Sequence, residues 1–237
     1  MPPVHTSSLE ELTAVLERTE NVLLDFDGPV ADLFPSGSGT KIADETRTPI
    51  LRAGVVIPEP LASTVEHLVV LEFAAEHAPE ALESAEQAAV AGEIASARTA
   101  PVTPGAGDFL SACAAAGRRV GIISNNAAPA IEGFLELHGL RDQVEFILGR
   151  PFARPRLMKP DPTLAFEALR ALRSRPDQCC MVGDAVTDIE FARHAGVRSV
   201  GYAKNAERGR QLAAAGADAI TPTMSDLAAA VRLLGRG

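Results

Sequence analysis

The chain has 237 residues, 46% of them hydrophobic and 22% charged, the make-up of a globular domain with apolar side chains enough for a large core or a core plus a smaller insert. A net charge of −9 argues against nucleic acid or an anionic membrane as partner, while still allowing a phosphate at a local site. No apolar run reaches membrane-spanning length, and Met1-Pro2-Pro3-Val4-His5 lacks the basic and apolar regions of a signal peptide, so the expected location is the cytoplasm.

Residues 7–19 read as an amphipathic helix that packs on the core. Ser7 with Glu10, or Ser8 with Glu11, makes a capping box, and Leu9, Leu12, Val15 and Leu16 form one apolar stripe. Val22, Leu23 and Leu24 form an apolar run without alternation, the pattern of a parallel strand buried on both faces. The run ends in Asp25-Phe26-Asp27-Gly28. In an extended backbone Asp25 and Asp27 share one face, where two carboxylates repel and titrate apart unless a cation or a proton intervenes. Taken alone, Asp-x-Asp-Gly equally suits a simple turn.

After Asp32, residues 33–40 are rich in Gly, Ser and Pro and read as a loop. Helix formers dominate residues 41–100. Leu61, Val65, Leu68, Val69, Leu71 and Phe73 are expected in one helix, and a second is expected from near Pro79 to Ala97. Strict α/β alternation follows. Helices are expected over 107–116, 128–138, 162–172 (with Asp161-Pro162 at its start), 188–195, 206–215 and, capped by Ser225, as far as Leu234. Strands are expected over 120–123, 144–148, 179–182, 197–200 and 217–220. Strands separated by such helices form right-handed parallel βαβ units. The fold class is therefore α/β, a doubly wound Rossmann-like parallel sheet carrying an inserted all-helical domain. Cys113, Cys179 and Cys180 match neither a disulfide framework nor a zinc pattern and are expected to be small buried hydrophobes.

Polar residues collect at the carboxyl ends of these strands, where an open α/β sheet binds its ligand. They are Asp25 and Asp27, then Ser124 and Asn125, then Lys159 before the Asp161-Pro162 helix start, then Asp184 with Asp188 four residues on. The set suits phosphoryl transfer. Carboxylates of Asp25 and Asp184 and the Asp27 carbonyl can hold a hard cation such as Mg²⁺, with Asp188 holding a metal-bound water or orienting Lys159. Lys159, the Ser124 hydroxyl and the backbone N–H groups around Gly28 and Asn125 can neutralise phosphoryl oxygens.

Four of these pieces are similar to the motifs of the haloacid dehalogenase-like superfamily, in that family's order: Asp25-Phe26-Asp27-Gly28-Pro29-Val30-Ala31-Asp32, Ile123-Ser124-Asn125, Met158-Lys159-Pro160-Asp161-Pro162 and Val182-Gly183-Asp184-Ala185-Val186-Thr187-Asp188. The helical insert resembles the cap of phosphoglycolate phosphatase-like members. The resemblance implies a core of residues 1–32 and 101–237, with 1–20 as an N-terminal helical extension, and a cap of 33–100. It further implies a nucleophile at Asp25, a general acid and then base at Asp27, phosphoryl contacts from Ser124 and Lys159, and a metal ligand at Asp184 supported by Asp188. Gly28 and Asn125 complete the implied substrate contacts, and Asp25, Asp27, Asp184 and Asp188 the implied Mg²⁺ site. A second aspartate at Asp27 separates phosphate transfer from dehalogenation in this superfamily. Pro29-Val30 stands where the family usually has Thr-Leu, which removes one N–H from the turn.

The expected activity is hydrolysis of a small phosphate monoester through an aspartyl phosphate, with a cap that closes over the site on a hinge in residues 33–40. A phosphomutase or other phosphotransferase of a sugar phosphate would use the same residues, and a non-enzymatic binding protein or scaffold is the third reading. Arg150, Arg154 and Arg156, and in the insert Lys41, Arg47, Arg52 and Arg98, are expected to be solvated surface charges.

Overall fold

The computed structural model describes residues 6–35 and 39–235. Six parallel strands lie in the order β3-β2-β1-β4-β5-β6: β1 Asn21–Leu24, β2 Arg119–Ile123, β3 Phe146–Leu148, β4 Cys179–Gly183, β5 Arg198–Tyr202 and β6 Ala219–Thr221. Leu24 is in register with Ile122 on one side and Val182 on the other, so the central strand ends level with both neighbours. The order reverses between β1 and β4, and a crevice opens at such a switch point.

Both faces of the sheet are covered, which is why β1 reads as an unbroken apolar run. Val22 and Leu24 join Val120, Ile122 and Val182 against helices α1 (Leu9–Leu16), α5 (Ala106–Ala115), α6 (Ala128–Leu137) and α10 (Met224–Leu234). Leu23 points the other way, to α7 (Thr163–Leu172) and α8 (Val186–Ala195), while α9 (Ala206–Ala215) covers the β5–β6 end. The N-terminal helix has the expected capping box at Ser8 and Glu11, and Ser7 ties it to β6 by bonds to and from Ile220. All three cysteines are free and buried. The final helix is capped by Thr223, whose hydroxyl accepts from Asp226 N–H, and not by Ser225. The residue before a helix caps best when its backbone is extended, as Thr223 is.

Between β1 and α5 the chain forms the helical insert: α2 (Gly39–Arg52), α3 (His67–His77) and α4 (Leu82–Ala97). The expected single helix through Leu61 and Phe73 is broken. Leu61–Ser63 is a short 3-10 turn, Thr64 is extended, and α3 begins only at His67. Residues 39–52, not assigned to a helix from the sequence, form a full one with Pro49 inside it, and Ile42, Ala43, Thr46, Arg47 and Ile50 lie on its buried side. Arg47 is thus no surface charge. Its guanidinium donates to the Leu61 and Thr64 carbonyls and pairs with Asp44, closing the turn that the broken helix leaves open. The hinge expected in 33–40 falls partly on Ser36, Gly37 and Ser38, outside the described residues, while Gly39 opens α2. No helix of the described residues is long and apolar enough to cross a membrane.

Candidate active site

Three neighbouring strand ends, those of β1, β2 and β4, deliver polar groups to the crevice. Asp25 follows β1 and donates its own N–H to Val182 O at 2.8 Å, which holds it against β4. Ser124 follows β2 and Asp184 follows β4. Lys159 reaches in from the turn before α7, and its ammonium is the hub. It lies 2.8 Å from Asp25 Oδ1, 2.5 Å from Asp188 Oδ1 and 3.1 Å from Ile123 O. Asn125 fixes the backbone that carries this lysine, accepting from Lys159 N–H at 2.7 Å and donating to Lys159 O at 3.1 Å. Asp188 serves two purposes: its Oδ2 accepts from Ala185 N–H and caps α8, while Oδ1 meets Lys159.

Asp27, two residues beyond Asp25, occupies a different environment. Its Oδ1 accepts from Leu33 N–H at 2.9 Å, and Thr103 Oγ1 donates to the next carbonyl, Gly28 O, at 2.7 Å. The loop turns at Gly28, whose φ of +98° suits glycine. A Cβ there would overlap the Asp184 carboxylate, so glycine is what lets the first loop approach the fourth strand. The turn's hydrogen bonds use Gly28, Val30 and Ala31 N–H, so Pro29 takes no donor from them.

Four carboxylates and one ammonium share this buried space, and the imbalance shows in their acidities. Burial pushes Asp184 up to about 8, with Asp25, Asp188 and Asp27 adding to the effect. Burial likewise raises Asp27 to about 6, against the Leu33 hydrogen bond. Burial also raises Asp188, against the pull of Lys159. Lys159 moves the other way: burial disfavours its charge, but Asp188 and Asp25 outweigh that and hold it at about 12. Ligand oxygens of Asp25, Asp184 and Asp188 lie within 4.8 Å of one another. Asp25 Oδ1 and Asp188 Oδ1 are buried and have no well-directed hydrogen bond, only the ammonium beside them. Excess negative charge on converging oxygens fits a hard divalent cation. The Asp27 carboxylate stands outside that trio.

Above the carboxylates lies a pocket of about 580 Å³, walled on its far side by the helical insert through Phe34 and α3. Ser124 and Asn125 line it too, although the Ser124 hydroxyl is bonded to Asn126, donating to Oδ1 at 3.1 Å and accepting from N–H at 3.2 Å.

A second buried cluster beside the site was not foreseen. Arg150, expected in solvent, is buried between two glutamates of α4. Nε lies 2.8 Å from Glu86 Oε1 and Nη1 lies 2.8 Å from Glu93 Oε1, and Nη1 also donates to Asn125 O. Glu93 further accepts from Ala127 N–H at 2.8 Å and sits 2.7 Å from His67 Nε2. The insert is thereby locked to the loop that carries Ser124 and Asn125. A trace of this exists in the sequence. Glu86 and Glu93 share the face of α4 occupied by Leu82, Ala85 and Ala89, and carboxylates on an apolar face need a buried cation.

A family model for haloacid dehalogenase-like hydrolases matches residues 20–196. Phosphoglycolate phosphatase of Rhodospirillum rubrum is 31% identical over 198 residues, which cover 77% of this chain and 80% of that protein. Phosphoglycolate phosphatase of Salmonella typhimurium is 29% identical over 142 residues, 60% of this chain and 55% of its own. Among solved structures, a predicted phosphatase from Clostridium acetobutylicum superposes with a TM-score of 0.68 at 20% identity, over 89% of this chain and 97% of its own. CbbY from Rhodobacter sphaeroides in complex with phosphate superposes with a TM-score of 0.66 at 20% identity, over 87% of this chain and 95% of its own. Both structures share the fold.

Proposed function

The chain belongs to the haloacid dehalogenase-like hydrolases and is a phosphatase of small phosphate esters, and from that premise we propose that Asp25 takes the phosphoryl group, that Asp27 moves the proton, and that the cation is Mg²⁺. Its core would be residues 1–32 and 101–237 and its cap 33–100. The observation that carries the reading is the contrast between the two aspartates. Asp25 lies against the Lys159 ammonium at 2.8 Å, whereas Asp27 has no ammonium beside it at that distance among the described residues and burial raises it to about 6, near the pH where a group both gives and takes protons well.

A carboxylate oxygen of Asp25 attacks phosphorus, the ester oxygen leaves with the proton of Asp27, and an aspartyl phosphate results. Asp27, now ionised, then takes a proton from water, whose oxygen attacks the same phosphorus and releases phosphate and free Asp25. Lys159 stands where charge builds on the phosphoryl oxygens, held there by Asn125 and Asp188. Ser124 and the Asn125 backbone flank the same position, and Gly28 leaves room for it. Asp25 and Asp184, supported by Asp188, would hold Mg²⁺, which when bound neutralises the phosphoryl oxygens and the clustered carboxylates. The test is turnover of p-nitrophenyl phosphate with Mg²⁺ or EDTA, in wild type and Asp25→Asn. Turnover is expected only in wild type with metal; full activity in Asp25→Asn would remove Asp25 from this role.

A further inference from the structure

The two ends of the pocket differ in charge. The phosphoryl end has Lys159 and the converging carboxylates. At the leaving-group end the insert contributes apolar Phe34, Val65, Leu68 and Val69, and acidic Glu66 and Glu72. Neither glutamate carboxylate has an ion pair or hydrogen bond among the described residues. Among the described residues no cation of the insert pairs with them. His67 lines the pocket but is committed to Glu93 at 2.7 Å. Arg47 is turned into the insert against the Leu61 and Thr64 carbonyls. Arg150 is closed in by Glu86 and Glu93. Neither Arg47 nor Arg150 lines the pocket; the guanidinium that does, Arg208, belongs to α9 on the core side and lies close enough to Asp184 to favour that group's ionisation.

We infer that this pocket selects phosphate monoesters whose alcohol has an apolar carbon skeleton and no second acid group, ending in a neutral or an ammonium group, and that it rejects phosphorylated hydroxyacids and bisphosphates. The inference rests on the phosphatase reading. A second anion on the leaving alcohol would be drawn from water to face Glu66 and Glu72 without a counter-charge, and like charges brought together in this way are a means of refusing a ligand. An alkyl chain would lie on Val65, Leu68 and Val69, and an ammonium at its end would find two unpaired carboxylates.

The test uses three esters of one length that differ at the far end: butyl phosphate, aminobutyl phosphate and carboxypropyl phosphate. With the wild-type chain and Mg²⁺, kcat/KM for the carboxypropyl ester is expected to be at least about tenfold below either of the others, and the Glu66→Gln/Glu72→Gln double variant is expected to narrow that gap. Hydrolysis of the carboxypropyl ester as fast as the butyl ester, or a gap unchanged in the double variant, overturns the inference and leaves the phosphatase reading standing. Hydrolysis of none of the three, nor of p-nitrophenyl phosphate, overturns the phosphatase reading and this inference with it.

Discussion

Replacing Glu93 by glutamine tests whether the insert is fastened to the core by charge. Glu93 is fully buried, with 0% of its surface exposed, so solvent does not screen it. Burial works against its ionisation, but the His67 contact and the Arg150 guanidinium outweigh burial and hold its carboxyl at about 2, down from 4.5. A depression of that size corresponds to about 3 kcal/mol of preference for the folded state, in the range found when one partner of a buried ion pair is removed. The sign follows from the direction. A carboxyl whose folded pKa is depressed stabilises the fold fully above its unfolded value of 4.5, and the contribution fades as pH falls from there towards about 2. In urea at about pH 7, Glu93→Gln is therefore expected to unfold about 3 kcal/mol more easily than wild type, or roughly 6–12 °C lower on heating. Towards about pH 3 the difference should shrink, since the unfolded wild-type chain is then protonated at Glu93 and gains that proton only by unfolding. Glu86, which burial raises despite Arg150, titrates in both proteins, and the variant removes the Glu93 charge that also raises it. A difference below about 1 kcal/mol at neutral pH, or one that persists unchanged in acid, would refute the argument.

Removing the ammonium, as in Lys159→Met, leaves Asp25 and Asp188 facing each other without a counter-charge; kcat/KM is expected to fall by about 10²–10³, and a smaller loss in steady-state assays would place the phosphoryl charge elsewhere. Asp184→Asn should separate stability from activity. Because burial and three neighbouring carboxylates raise Asp184 to about 8 from 3.8, ionising it destabilises the metal-free fold progressively as pH rises through that window. The variant should therefore melt higher than wild type in EDTA at about pH 8, yet lose phosphatase activity and the upward shift in melting temperature that Mg²⁺ produces in wild type. A variant that melts lower in EDTA would contradict it. Gly28→Ala should destabilise the chain by about 1–3 kcal/mol, through the positive φ and the overlap with Asp184, and should abolish turnover; normal kinetics would show that the first loop has slack.

The pieces of the candidate site were legible because they are local. Asp25-Phe26-Asp27-Gly28 follows an apolar run, Ser124-Asn125 and Asp184 follow two others, and strand ends converge wherever a parallel sheet is wound in both directions. The insert was less legible. Leu61 to Phe73 carries helical spacing throughout, yet the chain turns at Thr64 because Arg47, fourteen or more residues away, offers its guanidinium to the carbonyls there. The helix over 39–52 holds Pro49 in its interior and is kept by packing on α4, an instance of tertiary contacts overriding local propensity.

The alternation of strands with helices and the polar groups at the strand ends followed from the amino-acid sequence, because each depends on residues adjacent in the chain and on the period of the backbone; the order of the strands came from the fold. The folded structure alone decided which charges are buried. Arg150 resembles Arg154 and Arg156 in sequence, and only the approach of Glu86 and Glu93 across the insert separates it from them. The acidity of Asp184 and the character of the pocket's far wall have the same origin. Desolvation and charge pairing depend on distances through space, and residues far apart in the chain set those distances only once it has folded.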